Sequence, residues 1–271
     1  MGGFRRFDAV VEACAAEWRK VASTGLDWVP ISLPGTALGT MAGYFVQHGE
    51  LVGFAKPSRG PNAANPVPVA AHEKIAADFA YDLHLPVPPV DLWDRATRKG
   101  NLYQYCAVSL VPFQPLDKWE TLLRVPAAAD RLLPELAFAA SAMLAFDTWI
   151  DNLDRINSGN LLAGEDPDHG TARYAYIDHA NSLTYGWGDG PPARIARRVG
   201  PYPDQVTPDG RTIGETIAAI EALSDDHIAQ VVDRIPEAFI SPPRKACMRA
   251  GLCRRRHDLR GVLLGLTASS Q

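Results

Sequence analysis

An uninterrupted helical stripe of apolar residues (Leu132, Leu133, Leu136, Ala140, Met143 and Leu144) runs into Phe146-Asp147-Thr148-Trp149-Ile150. It stops at the mostly polar run Asp151-Asn152-Leu153-Asp154-Arg155-Ile156-Asn157-Ser158-Gly159-Asn160. A helix over 128–147 with such a stripe has to bury it. The approach to the polar run is therefore buried and the run is held at a defined height. Two short apolar runs follow, Leu161-Leu162 and Tyr176-Ile177, the second leading into Asp178-His179. The chain thus sets an Asp-Arg pair, an asparagine and a second aspartate on two neighbouring loops. Singly, each is an ordinary turn residue. Their order is what constrains the chain.

Upstream, the texture differs. Phe7 to about Val21 carries apolar residues at helical spacing, and Gly25 suits the left-handed position that closes such a helix. Short β-type runs follow at 28–33, 43–47 and 51–56, the last two forming a hairpin around His48-Gly49-Glu50. Pro57 to Pro68 is a loop, Val69 to about Leu83 an Ala-rich helix, Leu85 to Val90 extended, and Leu102 to Val111 another strand. Beyond Pro112 the pattern predicts helices over 128–147, 213–223, 225–235 and 243–266, with a short strand at 174–177. A β-rich part, 1–111, followed by a helical part, 112–271, reads as an α+β fold of two lobes sharing a cleft.

Composition narrows the function classes. A net charge of −4 with no acidic or basic block argues against a nucleic-acid arm or a membrane-surface patch. Arg254-Arg255-Arg256-His257 reads as a solvated helix face. The four cysteines match neither a zinc site nor a redox pair, so reduced thiols in a cytoplasmic protein are expected. The N-terminus shows no signal peptide or myristoylation pattern, and no apolar segment is long enough to span a bilayer. Neither a Gly-x-Ser-x-Gly elbow nor a Walker-type phosphate loop occurs.

Acid, amide and acid in this order are what a phosphoryl-transfer enzyme needs to orient a hydroxyl and hold magnesium on a nucleotide. Asp154 would orient the attacking hydroxyl, and Asn160 and Asp178 would ligate Mg2+, an oxygen set that suits a hard cation. Lys56 ends a β-type run, where it either points toward phosphates or stands exposed. Glu73, seventeen residues later on the Ala-rich helix, either pairs with that lysine or serves the helix dipole. Pro34-Gly35-Thr36-Ala37-Leu38-Gly39-Thr40 is a candidate phosphate-covering loop, with Gly35 and Gly39 permitting close backbone approach, and reads equally as an ordinary loop. Trp93, Tyr103, Tyr105 and Phe113 are candidates for an adenine wall or for plain core. His179 is expected to cap a backbone group.

The segment Trp149-Ile150-Asp151-Asn152-Leu153-Asp154-Arg155 with Gly159-Asn160-Leu161-Leu162 and Ile177-Asp178-His179 resembles the HipA-like branch of the protein-kinase-like superfamily, which is similar to phosphatidylinositol kinases. Leu83-His84-Leu85-Pro86-Val87-Pro88 after the Glu73 helix is similar to the same family. The resemblance covers roughly residues 28–185. It implies ATP bound between a small N-lobe and a helical C-lobe, with Lys56 on phosphate and Glu73 paired to it. Asp154 would be the catalytic acid/base, and Asn160 and Asp178 would hold the metal. A protein serine or threonine is the implied acceptor, with room for an antitoxin-like partner. Two departures are visible. Asn160 stands six residues after Asp154, where kinases have five, and His179-Ala180 follows the metal aspartate in place of Phe-Gly. A nucleotide-binding pseudokinase and a small-molecule or lipid kinase are the alternatives.

Overall fold

The structure, a computed structural model, describes residues 6–31, 43–58, 68–94, 105–122, 124–166, 170–183 and 207–265. The loop with Gly35 and Gly39 lies outside the described residues, as does Tyr103.

An N-terminal helix, α1 (Ala9–Trp18), precedes a five-stranded sheet. Its strands are β1 (Val29–Pro30), β2 (Tyr44–His48), β3 (Leu51–Ser58), β4 (Val90–Asp94) and β5 (Tyr105–Leu110), in the order β1-β2-β3-β5-β4. All of its pairings are antiparallel. The expected hairpin is present, with His48 opposite Leu51 and Gly49 in the left-handed region that a tight turn demands (φ 57°). Between β3 and β4 runs α2 (Val69–Asp82), buried from Val69 through Ala80 and packed on β3, β4 and β5.

A second, three-stranded sheet, β6 (Asp117–Lys118), β7 (Leu161–Glu165) and β8 (Ala172–Tyr176), lies within the part read from sequence as helical. Only β8 is visible in the pattern, because β6 is two residues long and β7 contains Gly164. Gly164 has a steric role: a Cβ there would sit 2.2 Å from the Pro115 carbonyl oxygen and 2.9 Å from the Phe113 ring. The helices of this part are α3 (Trp119–Leu122), α4 (Pro126–Ile150), α5 (Gly210–Glu221), α6 (Asp225–Asp233) and α7 (Pro242–Gly265). Pro126 opens α4, where a missing N–H costs nothing. Asp209 and Ser224 cap α5 and α6 by accepting from Thr212 N and His227 N. No helix among the described residues is long and apolar enough to cross a membrane.

One large apolar cluster joins α2, α4, α5, α6 and α7, with Trp119 and Trp149 among its largest fully buried side chains. A second cluster lies under the five-stranded sheet and includes Phe7, Trp18, Trp28 and Phe113.

The Arg254–His257 stretch corrects the sequence reading. Arg254 and His257 are exposed, but Arg255 and Arg256 are buried. Neighbouring helical positions differ by about 100°, so one run can serve two faces. Arg255 donates to the Trp149 carbonyl (2.8 Å), the Thr148 carbonyl (2.7 Å) and Asp151 (3.1 Å). It thereby satisfies the carbonyls orphaned where α4 ends at Asp151, itself in the left-handed region (φ 59°). Arg256 donates to the Leu223 carbonyl and to Asp225. Replacing Arg255 by Met removes its hydrogen bonds to the Trp149 and Thr148 carbonyls and should cost roughly 2–3 kcal/mol, read by urea unfolding. Arg254→Met should change stability by less than about 0.5 kcal/mol.

Candidate active site

The loop beyond α4 folds as two short 3-10 turns, Leu153–Ile156 and Ser158–Asn160, and then enters β7. Arg155 turns inward from the first and is buried. Its Nε donates to Asp147 Oδ2 (2.8 Å), its Nη1 to the carbonyls of Asn160 (2.8 Å) and Ile177 (2.9 Å), and its Nη2 to His179 Nε2 (3.0 Å). One guanidinium thus ties the end of α4, the asparagine loop and the approach to Asp178. A guanidinium only donates, so His179 Nε2 is the acceptor and the imidazole proton sits on Nδ1, 4.0 Å from Glu73 Oε2. Burial, with the Arg155 and Lys56 charges added, holds His179 well below its ordinary value and keeps it neutral. His179 therefore belongs to a buried polar chain, whereas the sequence suggested a simple backbone cap.

Five of the seven residues singled out from sequence fall within the described residues, and the fold brings all five together. Lys56 Nζ lies 2.5 Å from Glu73 Oε1 and 3.0 Å from Asp178 Oδ1. Burial by itself lowers the Lys56 ammonium, but Glu73 and Asp178 outweigh it and hold the group above its ordinary value. Burial likewise raises the Asp178 carboxyl, and Lys56 and Arg155 outweigh it, holding that group below the usual carboxylate range. Both are charged near neutral pH. Asp178 adopts the left-handed backbone region (φ 65°), which Asp tolerates better than most residues.

Asn160 donates from Nδ2 to the Asp154 carbonyl (3.2 Å), with Asp154 Oδ2 at 3.5 Å. That orientation leaves Asn160 Oδ1 as the atom available to a cation. Asn157, the competing asparagine, accepts from Gly159 N with its Oδ1 (3.0 Å), so its oxygen is engaged in the turn. Asn181, absent from the sequence reading, donates to Asp154 Oδ2 (3.3 Å).

These groups line a cavity of about 820 Å³ between the two sheets, in the size range of small-molecule sites. Phe45, Phe54, Leu110, Val111, Leu162 and Ile177 supply apolar wall, and Lys56, Asp154, Asn160, Asp178 and Asn181 converge at the polar end. Lys118 and Glu120 also line it; two charged residues around a two-residue strand leave no sequence signal. Three of the aromatics that read as wall or core serve as core: Phe113 and Trp93 pack in or against the cluster under the large sheet, and Tyr105 packs edge-on against Phe239 (5.0 Å). Among the described residues no cluster of three or more His, Cys, Asp or Glu could hold a metal. Two oxygen ligands still fit Mg2+, which takes few protein ligands and completes its shell with water and phosphate.

No protein-family model matches the chain, and comparison with curated proteins gives no match. Solved structures do match. The Helicobacter pylori proinflammatory kinase CtkA aligns with a TM-score of 0.56 at 16% identity, over 84% of this chain and 95% of its own. WaaP in complex with acyl carrier protein aligns at 14% identity over 85% and 89%, but its TM-score of 0.37 is too low to carry an argument. The likeness to CtkA shows the fold: this chain has a kinase-like architecture of two lobes.

His72, beside Glu73 on α2, receives its contact from the far loop, with its Nδ1 3.1 Å from the Ala180 carbonyl. Burial, with the Arg244 charge added, lowers it to about 4. A depressed histidine stabilises the fold above its unfolded value and loses that contribution as pH falls through the folded one. Between about pH 6.5 and pH 4 the wild type should therefore lose on the order of 3 kcal/mol more stability than His72→Gln. Chemical denaturation across that range measures the difference.

Proposed function

We propose that this protein is a kinase, transferring the terminal phosphoryl group of ATP to an alcohol with Mg2+ as cofactor. The observation that carries the reading is Lys56 paired with both Glu73 and Asp178, with Lys56 and Asp178 at the polar end of the cavity and Asp154 and Asn160 on the adjoining loop. Glu73 would fix the Lys56 ammonium for phosphate contact. Asp178 and Asn160 Oδ1 would hold the metal, which when bound neutralises charge on the nucleotide phosphates. Asp154, steadied by Asn160 and Asn181, would accept the proton of the attacking hydroxyl as its oxygen bonds to the γ-phosphorus and ADP departs. The apolar wall suits a nucleobase. Catalysis of this kind is mostly positioning and charge neutralisation.

We also propose that the lobes meet at Val111–Pro112, where β5 has just ended and both residues line the cavity. The HipA-like resemblance supports a protein serine or threonine as acceptor. The loop with Gly35 and Gly39 is retained as the candidate cover for the phosphates. One observation favours a second reading, nucleotide binding without transfer: the direct Lys56–Asp178 pair engages an oxygen that the metal would need.

Turnover of ATP with Mg2+ by the wild type, and its loss by about 10²-fold or more in Asp154→Ala with unfolding midpoint unchanged, is the expected result. Near-full turnover in Asp154→Ala contradicts the mechanism. Binding without turnover in the wild type selects the second reading.

A further inference from the structure

Glu73 reaches Lys56 from one side of α2, and the opposite side of the helix carries an unusual set of polar links. Lys74 is 1% exposed at its side chain. Its ammonium donates to the Trp18 carbonyl at the end of α1 (2.6 Å) and to Asp78 one turn on (2.9 Å). The other Asp78 oxygen accepts from Arg234, which closes α6 in the helical part of the chain (3.0 Å). A turn further, Asp82 pairs with Arg19 (2.8 Å) and lies 2.8 Å from His227 Nε2 on α6. Thus α1 and α6 both grip the side of α2 that faces away from the cavity. Burial pushes the Asp78 carboxyl up to about 6, with Lys74 and Arg234 pulling it back. A charge so placed persists only while its cationic partners hold station.

Successive residues on a helix point about 100° apart, so the setting of Lys74 determines the direction of Glu73. A small rotation of α2 that freed Lys74 would carry the Glu73 carboxylate out of the 2.5 Å contact with Lys56. We propose that Arg234, Asp78 and Lys74 form a positioning relay. Through it the helical part of the chain holds α2 in the rotation that presents Glu73 to Lys56. The use of that pair rests on the kinase reading; the relay itself does not.

The test reads Lys56 directly. Only a neutral amine attacks an acetylating reagent, so a lysine held protonated in an ion pair reacts slowly. Mass spectrometry would follow acetylation of Lys56 at fixed pH in the wild type, Arg234→Met, Arg234→Lys and Asp78→Asn, with circular dichroism confirming each fold. Glu73→Gln sets the rate of a Lys56 that has lost Glu73 and keeps Asp178. Arg234→Met and Asp78→Asn should label Lys56 several-fold faster, toward the Glu73→Gln rate, and Arg234→Lys should stay near wild type. Wild-type labelling in folded Arg234→Met, or in folded Asp78→Asn should the first not fold, overturns the relay. ATP turnover by the same wild-type preparation separates the two ideas. Faster labelling without turnover removes the kinase reading and keeps the relay, and turnover with unchanged labelling does the reverse.

Discussion

The pairing of Arg155 with Asp147 is the interaction on which the rest of the site depends. Asp147 is fully buried near the end of α4, and a carboxylate there is tolerable only if a cation meets it. Arg155 does so and spends its remaining donors on two carbonyls and a histidine, fixing both loops relative to α4. Asn152 completes the cluster by donating to Asp147 Oδ1 (3.1 Å). Losing one member of such a buried pair costs about 3–5 kcal/mol, far more than the pair contributes against an apolar substitute. Its value is geometrical: the loops that bear Asp154, Asn160 and Asp178 are held by contacts behind the side chains that line the cavity.

The same logic extends across the two sheets. A polar chain runs from Asp147 through Arg155 and His179 to within 4.0 Å of Glu73, and then to Lys56 on β3. His179 can sit in it only as a neutral ring, which its burial between two cations ensures. Where protein kinases carry Phe-Gly after the aspartate that holds their magnesium, this chain has His179 after Asp178, wired into the loop that bears Asp154. The substitution converts an apolar contact into a directional one, and it ties the setting of Asp178 to that of Arg155.

Much of this was legible in the sequence, for identifiable reasons. Long periodic segments declared themselves: α2, α4, α5, α6 and α7 were all visible, because an apolar stripe at helical spacing has few other uses. The hairpin of β2 and β3 was marked by its turn. Lys56 and Glu73 were each readable two ways, and only the packing of α2 on β3 makes them a pair. What stayed hidden depends on long-range geometry. Arg155 looked like one more polar loop residue, although an arginine with an acid eight positions back in the preceding helix is a readable cue. Arg255 and Arg256 were lost in a basic run because sequence does not say which face of α7 meets α4. Lys118, Glu120 and Asn181 sit in short or irregular segments that carry no periodicity at all.

The central claim is that this cavity receives a magnesium–nucleotide complex at Lys56, Asn160 and Asp178. Calorimetric titration of the protein with a non-hydrolysable ATP analogue, with Mg2+ and again with a chelator, tests it without requiring an acceptor. The account predicts binding that depends on Mg2+ and is lost or weakened at least about tenfold in Asp178→Asn, equivalent to roughly 1.4 kcal/mol. No binding in the wild type, or binding indifferent to both Mg2+ and Asp178, would contradict it.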